Sequence, residues 1–145
     1  AKPPPSSVAY DNMTFMQRKA VDLGLDPKQK ILYICGKAGS GKTQVALKIC
    51  EQLKGRVQAG AGTGKAAQNY QGPTVHGMFG WTYDFGDGHK LTDKQIMELR
   101  TLYQDVDTFV IDEINANSAE FLANFDECMT VLFNLDHKKN ANGDI

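Results

Sequence analysis

Eight residues, Gly36-Lys37-Ala38-Gly39-Ser40-Gly41-Lys42-Thr43, constrain this chain more than any other stretch. They match the pattern GxxxxGK[ST] at each fixed position, and the flanks have the character that pattern needs. A short apolar run, Lys30-Ile31-Leu32-Tyr33-Ile34-Cys35, leads in. It suits a strand covered on both faces, as in a parallel sheet. Val45, Ile49 and Leu53 follow at i, i+4 and i+8, which predicts a helix with one buried face, stopped at Gly55.

The residue types in the loop have a physical reason. Glycines let the backbone bend so that successive N–H groups converge on one phosphate, and the helix N-terminus adds partial positive charge. Lys42 supplies a point charge for the β- and γ-phosphates, and Thr43 a hydroxyl for Mg²⁺. The motif thus predicts binding of a nucleoside triphosphate through Gly36, Ala38, Gly39, Ser40, Gly41, Lys42, Thr43 and Gln44. A Gly-rich turn with no ligand would leave the Lys–Thr pair at the helix start unexplained.

Phe109-Val110-Ile111-Asp112-Glu113 is an apolar strand ending in two carboxylates. Downstream of a P-loop, such an Asp holds the Mg²⁺, usually through water, and the adjacent Glu orients the attacking water. Thr43 and Asp112 are therefore the expected metal-holding residues, and Lys42 and Glu113 the expected catalytic ones. A solvated acidic loop is the plain alternative.

Further elements fall into place around these motifs. Thr14-Phe15-Met16-Gln17 is a capping box that opens a helix to about Leu23, with Gly24 ending it. Arg56-Val57-Gln58-Ala59 is a second strand and Thr108–Ile111 a third. Gly60 to Gly88 reads as loop with short helical pieces. Thr92-Asp93-Lys94-Gln95 opens another helix, and Asn117-Ser118-Ala119-Glu120 caps a last one, with Phe121, Phe125, Met129 and Leu132 on its buried face. Strand and helix in alternation predict an α/β domain with a parallel sheet. The expected organisation is a flexible Pro/Ser lead-in over 1–13, one ATP-binding lobe over 14–135 and a polar tail over 136–145.

Composition excludes little. The 145 residues suffice for one core, and no apolar run approaches the ~20 residues needed to cross a bilayer. The lead-in has no apolar stretch of the secretory kind. Lys and Arg number 16 against 17 Asp and Glu, so no basic surplus advertises nucleic acid, although a groove can be locally basic. Cys35, Cys50 and Cys128 lack zinc-site spacing and read as buried reduced thiols. His76, His89 and His137 are scattered, so no structural metal is expected. An intracellular location is expected, with nucleus, mitochondrion and cytoplasm left open.

Gly60-Ala61-Gly62-Thr63-Gly64-Lys65-Ala66-Ala67 resembles a second P-loop but is one residue too short, and Ala66 has no hydroxyl for a metal. On spacing alone, its backbone amides and Lys65 either contact a phosphodiester or form a plain glycine turn.

The ordered series Gly36–Thr43, Gly62-Thr-Gly-Lys-Ala-Ala67, Gly72-Pro-Thr-Val-His76 and Ile111-Asp-Glu-Ile-Asn115 resembles the motifs of the RecD-like and Pif-family superfamily 1 DNA helicases. The likeness runs from about Thr14 to Ala116. It implies a RecA-like P-loop NTPase fold, a three-layer αβα arrangement with a mainly parallel sheet, cut before its last strands. It implies an ATP-dependent helicase whose motor lobe couples hydrolysis to movement on single-stranded DNA. Thr63, Gly64 and Lys65 would lie on the DNA path, with Thr74 and His76 near it. Gln17 would read the adenine edge, while the capping box offers it the backbone of Thr14 instead. His76 is equally open to a helix-start hydrogen bond. Phe79, Trp81 and Tyr83 either stack on bases or pack in the core. The family often has Ser where this chain has Asn115. Its further strand and second lobe, with an arginine finger, would follow Ile145, so the chain alone should hydrolyse ATP slowly and not unwind. Other readings are a clamp-loader-like or signalling ATPase, or a non-catalytic nucleotide-gated interaction module. The oligomeric state is open.

Overall fold

The computed structural model describes residues 3–28, 32, 34, 39–80, 92–114 and 119–133. The strand expected over 30–35, apart from Leu32 and Ile34, lies outside these residues. So do Gly36, Ala38, Trp81, Tyr83, His89, Asn115, the cap at Asn117-Ser118 and the tail.

Helix α1 spans Phe15–Leu25 and opens as expected. The Thr14 hydroxyl accepts from the Gln17 N–H, and the Gln17 side chain accepts from the Thr14 N–H. Gly24 does not end it. It lies inside the helix, where a Cβ would come within 2.6 Å of the Ile49 side chain on α2. The glycine lets two helices approach closely; it is not a stop signal. Helix α2, Lys42–Gln52, ends at Leu53, whose backbone is extended, two residues before the expected Gly55. Val21, Val45 and Ile49 form the α1–α2 core, and Met13 is buried with them.

Two parallel strands follow, β1 (Val57–Ala61) and β2 (Thr108–Asp112), in register from Val57 opposite Thr108 to Ala61 opposite Asp112. Both run longer than expected because their last residues still pair. Alternation along β2 puts its side chains on opposite faces. Val110 packs beside Leu47, Cys50 and Ala59 on the α2 side. Phe109 and Ile111 pack with the cluster of Val75, Met78, Phe79, Tyr103, Cys128 and Leu132. That second cluster is built from α4 (Val75–Phe79), the end of α5 (Asp93–Leu102) and α6 (Ala119–Phe133). Helices cover both faces of the sheet, giving three layers.

The glycine-rich stretch after β1 holds two five-residue helices, α3 (Gly64–Gln68) and α4. Each has a threonine N-cap, Thr63 accepting from Ala66 N–H and Thr74 from Gly77 N–H, both near 3.1–3.2 Å. Gly60 is required by packing, since a Cβ there would meet the Met78 sulfur at 2.7 Å and the Pro73 carbonyl at 2.8 Å. Capping at Thr92 matches expectation, again with a reciprocal Gln95 contact. Arg100 on α5 donates to the Val131 and Leu132 carbonyls at 2.6 and 3.1 Å, satisfying the end of α6.

The segment expected to be a flexible lead-in makes fixed contacts from Ser6 onward. Val8 packs on the α1–α2 core, and Ser6 and Ser7 bond to Gln44. Val8 and Met13 give this Pro/Ser stretch apolar surface to bury.

Candidate functional site

The two motif ends meet. Thr43, in the first turn of α2, donates its hydroxyl hydrogen to Asp112 Oδ2 at 3.2 Å, across 69 residues of sequence. The parallel sheet brings them together: β2 ends at Asp112 on the same edge from which α2 runs. Open α/β sheets place ligand sites at this C-terminal edge of the strands.

The loop backbone has the bends it needs. Gly39 and Gly41 both adopt positive φ, 81° and 85°. Gly41 is also the N-cap of α2, and the Gln17 amide lies where its Cβ would be. The α2 N–H groups of Thr43 and Gln44 precede the first intrahelical bond, Val45 N–H to Gly41 carbonyl, at the helix end where backbone donors suit an anion. Ser40 and Gly39 are exposed and Lys42 is half-buried. The Gln44 side chain is turned to the lead-in: its Oε1 accepts from Ser6 Oγ, Ser7 N–H and Ser7 Oγ at 2.9–3.0 Å.

Gln17 makes the capping contact, and its Nε2 also donates to the Ser40 carbonyl at 3.1 Å. It thereby braces the P-loop from α1. Beside it lies a cavity of about 480 Å³. Its lining is mostly apolar, from Met16, Ala20, Leu23, Leu32, Ile34 and Val45, with Thr14, Gln17, Lys19, Ser40 and Lys42 as its polar groups. Apolar walls with a few convergent polar groups suit a flat heteroaromatic ring.

Asp112 is held on both oxygens. Oδ1 accepts from the Glu113 N–H at 2.8 Å, and Oδ2 accepts from Thr43 and, at 2.7 Å, from the Tyr70 phenol. Burial first, and the Asp112 carboxylate second, push the Tyr70 phenol far above the usual tyrosine range. It therefore stays a donor. Tyr70 was missed by the sequence reading; a lone tyrosine after a glycine loop carries no spacing signal. Glu113 sits at φ 55°, a left-handed conformation uncommon outside glycine. This turn takes the chain out of the strand and leaves the Glu113 side chain exposed.

Thr43 and Asp112 fit a magnesium ion by chemistry. Both are hard oxygen donors in one spot, and Mg²⁺ takes few protein ligands, completing its shell with water and phosphate.

The second glycine loop abuts this site. The Gly62 N–H donates to the Asp112 carbonyl at 2.8 Å, and Ala61 bridges to Thr74 on its other side. Thr63, Gly64 and Lys65 are exposed. Thr74 starts α4 at the same sheet edge, and its hydroxyl accepts from the Gly77 N–H. His76 is half-buried in the first turn of α4. Phe79 is buried in edge-to-face contact with Tyr103 and Phe125. It is a core residue, so base stacking is ruled out for it.

Fold and site together define a P-loop nucleotide-binding lobe of the RecA type. The family model described as "PIF1-like helicase" matches residues 12–144. The chain belongs to that family. It is 32% identical over 102 residues to the ATP-dependent DNA helicase PIF1 of Saccharomyces cerevisiae (strain YJM789), a match covering 66% of this chain and 12% of that protein. Among solved structures it is similar to Bacteroides Pif1 helicase in complex with ADP-AlF3 and single-stranded DNA. There the TM-score is 0.68 at 26% identity, over 86% of this chain and 29% of that one. A structure of two coordinating Pif1 helicases at forked double-stranded DNA matches equally well, covering 30% of that chain. The chain thus spans about one eighth of the curated relative and under a third of the solved ones.

Proposed function

We propose that this chain is the ATP-binding part of the first motor lobe of a DNA helicase. In the complete enzyme it would couple ATP hydrolysis to movement along single-stranded DNA and to duplex unwinding. The observation that carries this reading is the contact of Thr43 with Asp112 at the head of the P-loop helix.

In this reading the triphosphate lies on the N–H groups of Gly39 to Gln44, together with Gly36 and Ala38, and Lys42 neutralises its β- and γ-phosphates. Thr43 and Asp112 hold Mg²⁺, which when bound supplies charge for the leaving phosphate oxygens. Glu113, exposed at the strand end, orients the attacking water. The nucleobase enters the apolar cavity beside Gln17, whose amide reaches the adenine edge by exchanging its bond to Ser40. Thr63, Gly64 and Lys65 meet the DNA backbone, with Thr74 and His76 alongside, and the partner is a single strand. A location inside the cell follows from action on DNA. The family match argues against a clamp-loader-like ATPase and against a non-catalytic module.

The test uses this chain with labelled oligo-dT at stated salt. Wild type should bind and Lys65→Ala should bind more weakly, with a shallower salt dependence, because one phosphate contact is lost. Phosphate release should be slow with or without the oligonucleotide, since an arginine finger alone is worth ~10³–10⁵ in rate in related enzymes. Equal binding by both proteins contradicts the DNA assignment. Strong DNA-stimulated hydrolysis by the chain alone contradicts its reading as an incomplete motor.

A further inference from the structure

Tyr70 is 1% exposed, yet it aims its one polar atom at a carboxylate. Its ring is fixed among Leu47, Cys50 and Ala59, between α2 and β1. Its phenol hydrogen goes to Asp112 Oδ2 at 2.7 Å, shorter than the Thr43 bond to the same atom at 3.2 Å. A charge-assisted bond from a rigid, desolvated donor fixes an acceptor more firmly than a bond from a partly exposed one.

The other two donors cannot replace it. The Glu113 N–H holds Oδ1 and leaves rotation of Oδ2 to be settled elsewhere. Thr43 must also offer its oxygen to the metal, so its position follows the ligand. Tyr70 sits just beyond α3, and the chain there is anchored again by the Gly72 N–H on the Ala67 carbonyl. Nothing in this anchoring depends on nucleotide.

We propose that Tyr70 is a positioning residue for the metal-holding carboxylate: its hydroxyl sets the orientation in which Asp112 receives Mg²⁺ and its water. The inference rests on the nucleotide–metal reading above and deepens it. Tyr70 touches neither metal nor substrate; it acts through Asp112.

Tyr70→Phe removes the hydroxyl and keeps the ring. Mn²⁺ stands in for Mg²⁺, and its affinity is measured by electron paramagnetic resonance with a non-hydrolysable ATP analogue present. The nucleotide's own affinity is measured separately in EDTA. The expected result is a loss of Mn²⁺ affinity of about tenfold, the scale of one buried hydrogen bond to a charged group. Metal-free nucleotide affinity should change less than about twofold, because the phosphate-facing N–H groups are untouched. In an Asp112→Asn background the same substitution should have no further effect on Mn²⁺ affinity. Unchanged Mn²⁺ affinity in Tyr70→Phe overturns the proposal. So does an equal fall of both affinities, which marks a merely structural role, or an undiminished effect in the Asp112→Asn background. A wild-type chain that takes up no Mn²⁺ with nucleotide overturns the site reading itself, and the wild-type arm alone reveals that case.

Discussion

Glu113 shows how a residue type and its backbone can pull in different directions. The chemistry expected of it needs a carboxylate, while its φ of 55° favours glycine. The strain is held because the Glu113 N–H bonds to Asp112 Oδ1, so the turn and the neighbouring carboxylate fix each other. A β-branched side chain fits this conformation worst. Glu113→Val should therefore destabilise the chain by about 1–3 kcal/mol, while Glu113→Gly should be near neutral, as chemical denaturation would show. Equal stabilities would mean the left-handed turn does not exist. Position was legible at this scale where spacing carried it: Lys42 and Thr43 open the helix after the glycine loop, and Asp112 ends its strand. Tyr70 was not legible, because its partner is 42 positions away and only folding brings them together. Gln17 was half legible, since the capping box announced one contact and the bond to Ser40 came from packing α1 on the loop.

At the level of elements, local chemistry was a good guide to where helices begin and a poor one to where they end. Both Thr-x-x-Gln boxes formed, because every atom of that device lies within four residues. Glycine was the misleading signal. Gly24 and Gly55 were expected to stop helices, and neither does. Gly24 admits the Ile49 side chain, and Gly55 admits that of Asp107. Close approach between distant segments uses glycine as readily as a helix end does. The short α3 and α4 are the helical pieces expected in the Gly-rich stretch, and Thr63 and Thr74 fix where they begin. Besides the apolar cluster between them, α5 and α6 are tied by Arg100, which holds the carbonyls of Val131 and Leu132. Arg100→Met keeps most of the apolar stem and removes both bonds. It should cost about 1.5–3 kcal/mol in denaturant unfolding. A loss below about 0.5 kcal/mol, the range of ordinary surface substitutions, would show that water caps α6 equally well.

Across the whole chain, an α/β domain with a parallel sheet was legible from the alternation of strands and helices, while its three-layer form was what the motif resemblance implied. The way the layers converge on one edge was not written in any one segment. Register places Ala61 opposite Asp112, so the end of β1, the glycine loop after it and the second acidic motif share that edge. The P-loop helix supplies the remaining wall through Thr43. The proposed nucleotide site and the proposed DNA-facing loop are thus one connected structure, built around β1 and β2 and their connections. The most direct test of this is titration of a fluorescent ATP analogue into the chain, with Mg²⁺ and with EDTA, for wild type, Lys42→Ala and Asp112→Asn. Wild type should bind more tightly with Mg²⁺. Lys42→Ala should weaken binding in both conditions, and Asp112→Asn should reduce the gain from Mg²⁺ while sparing binding in EDTA. Wild-type binding indifferent to Mg²⁺, or a Lys42→Ala chain that binds as well as wild type, would contradict the site.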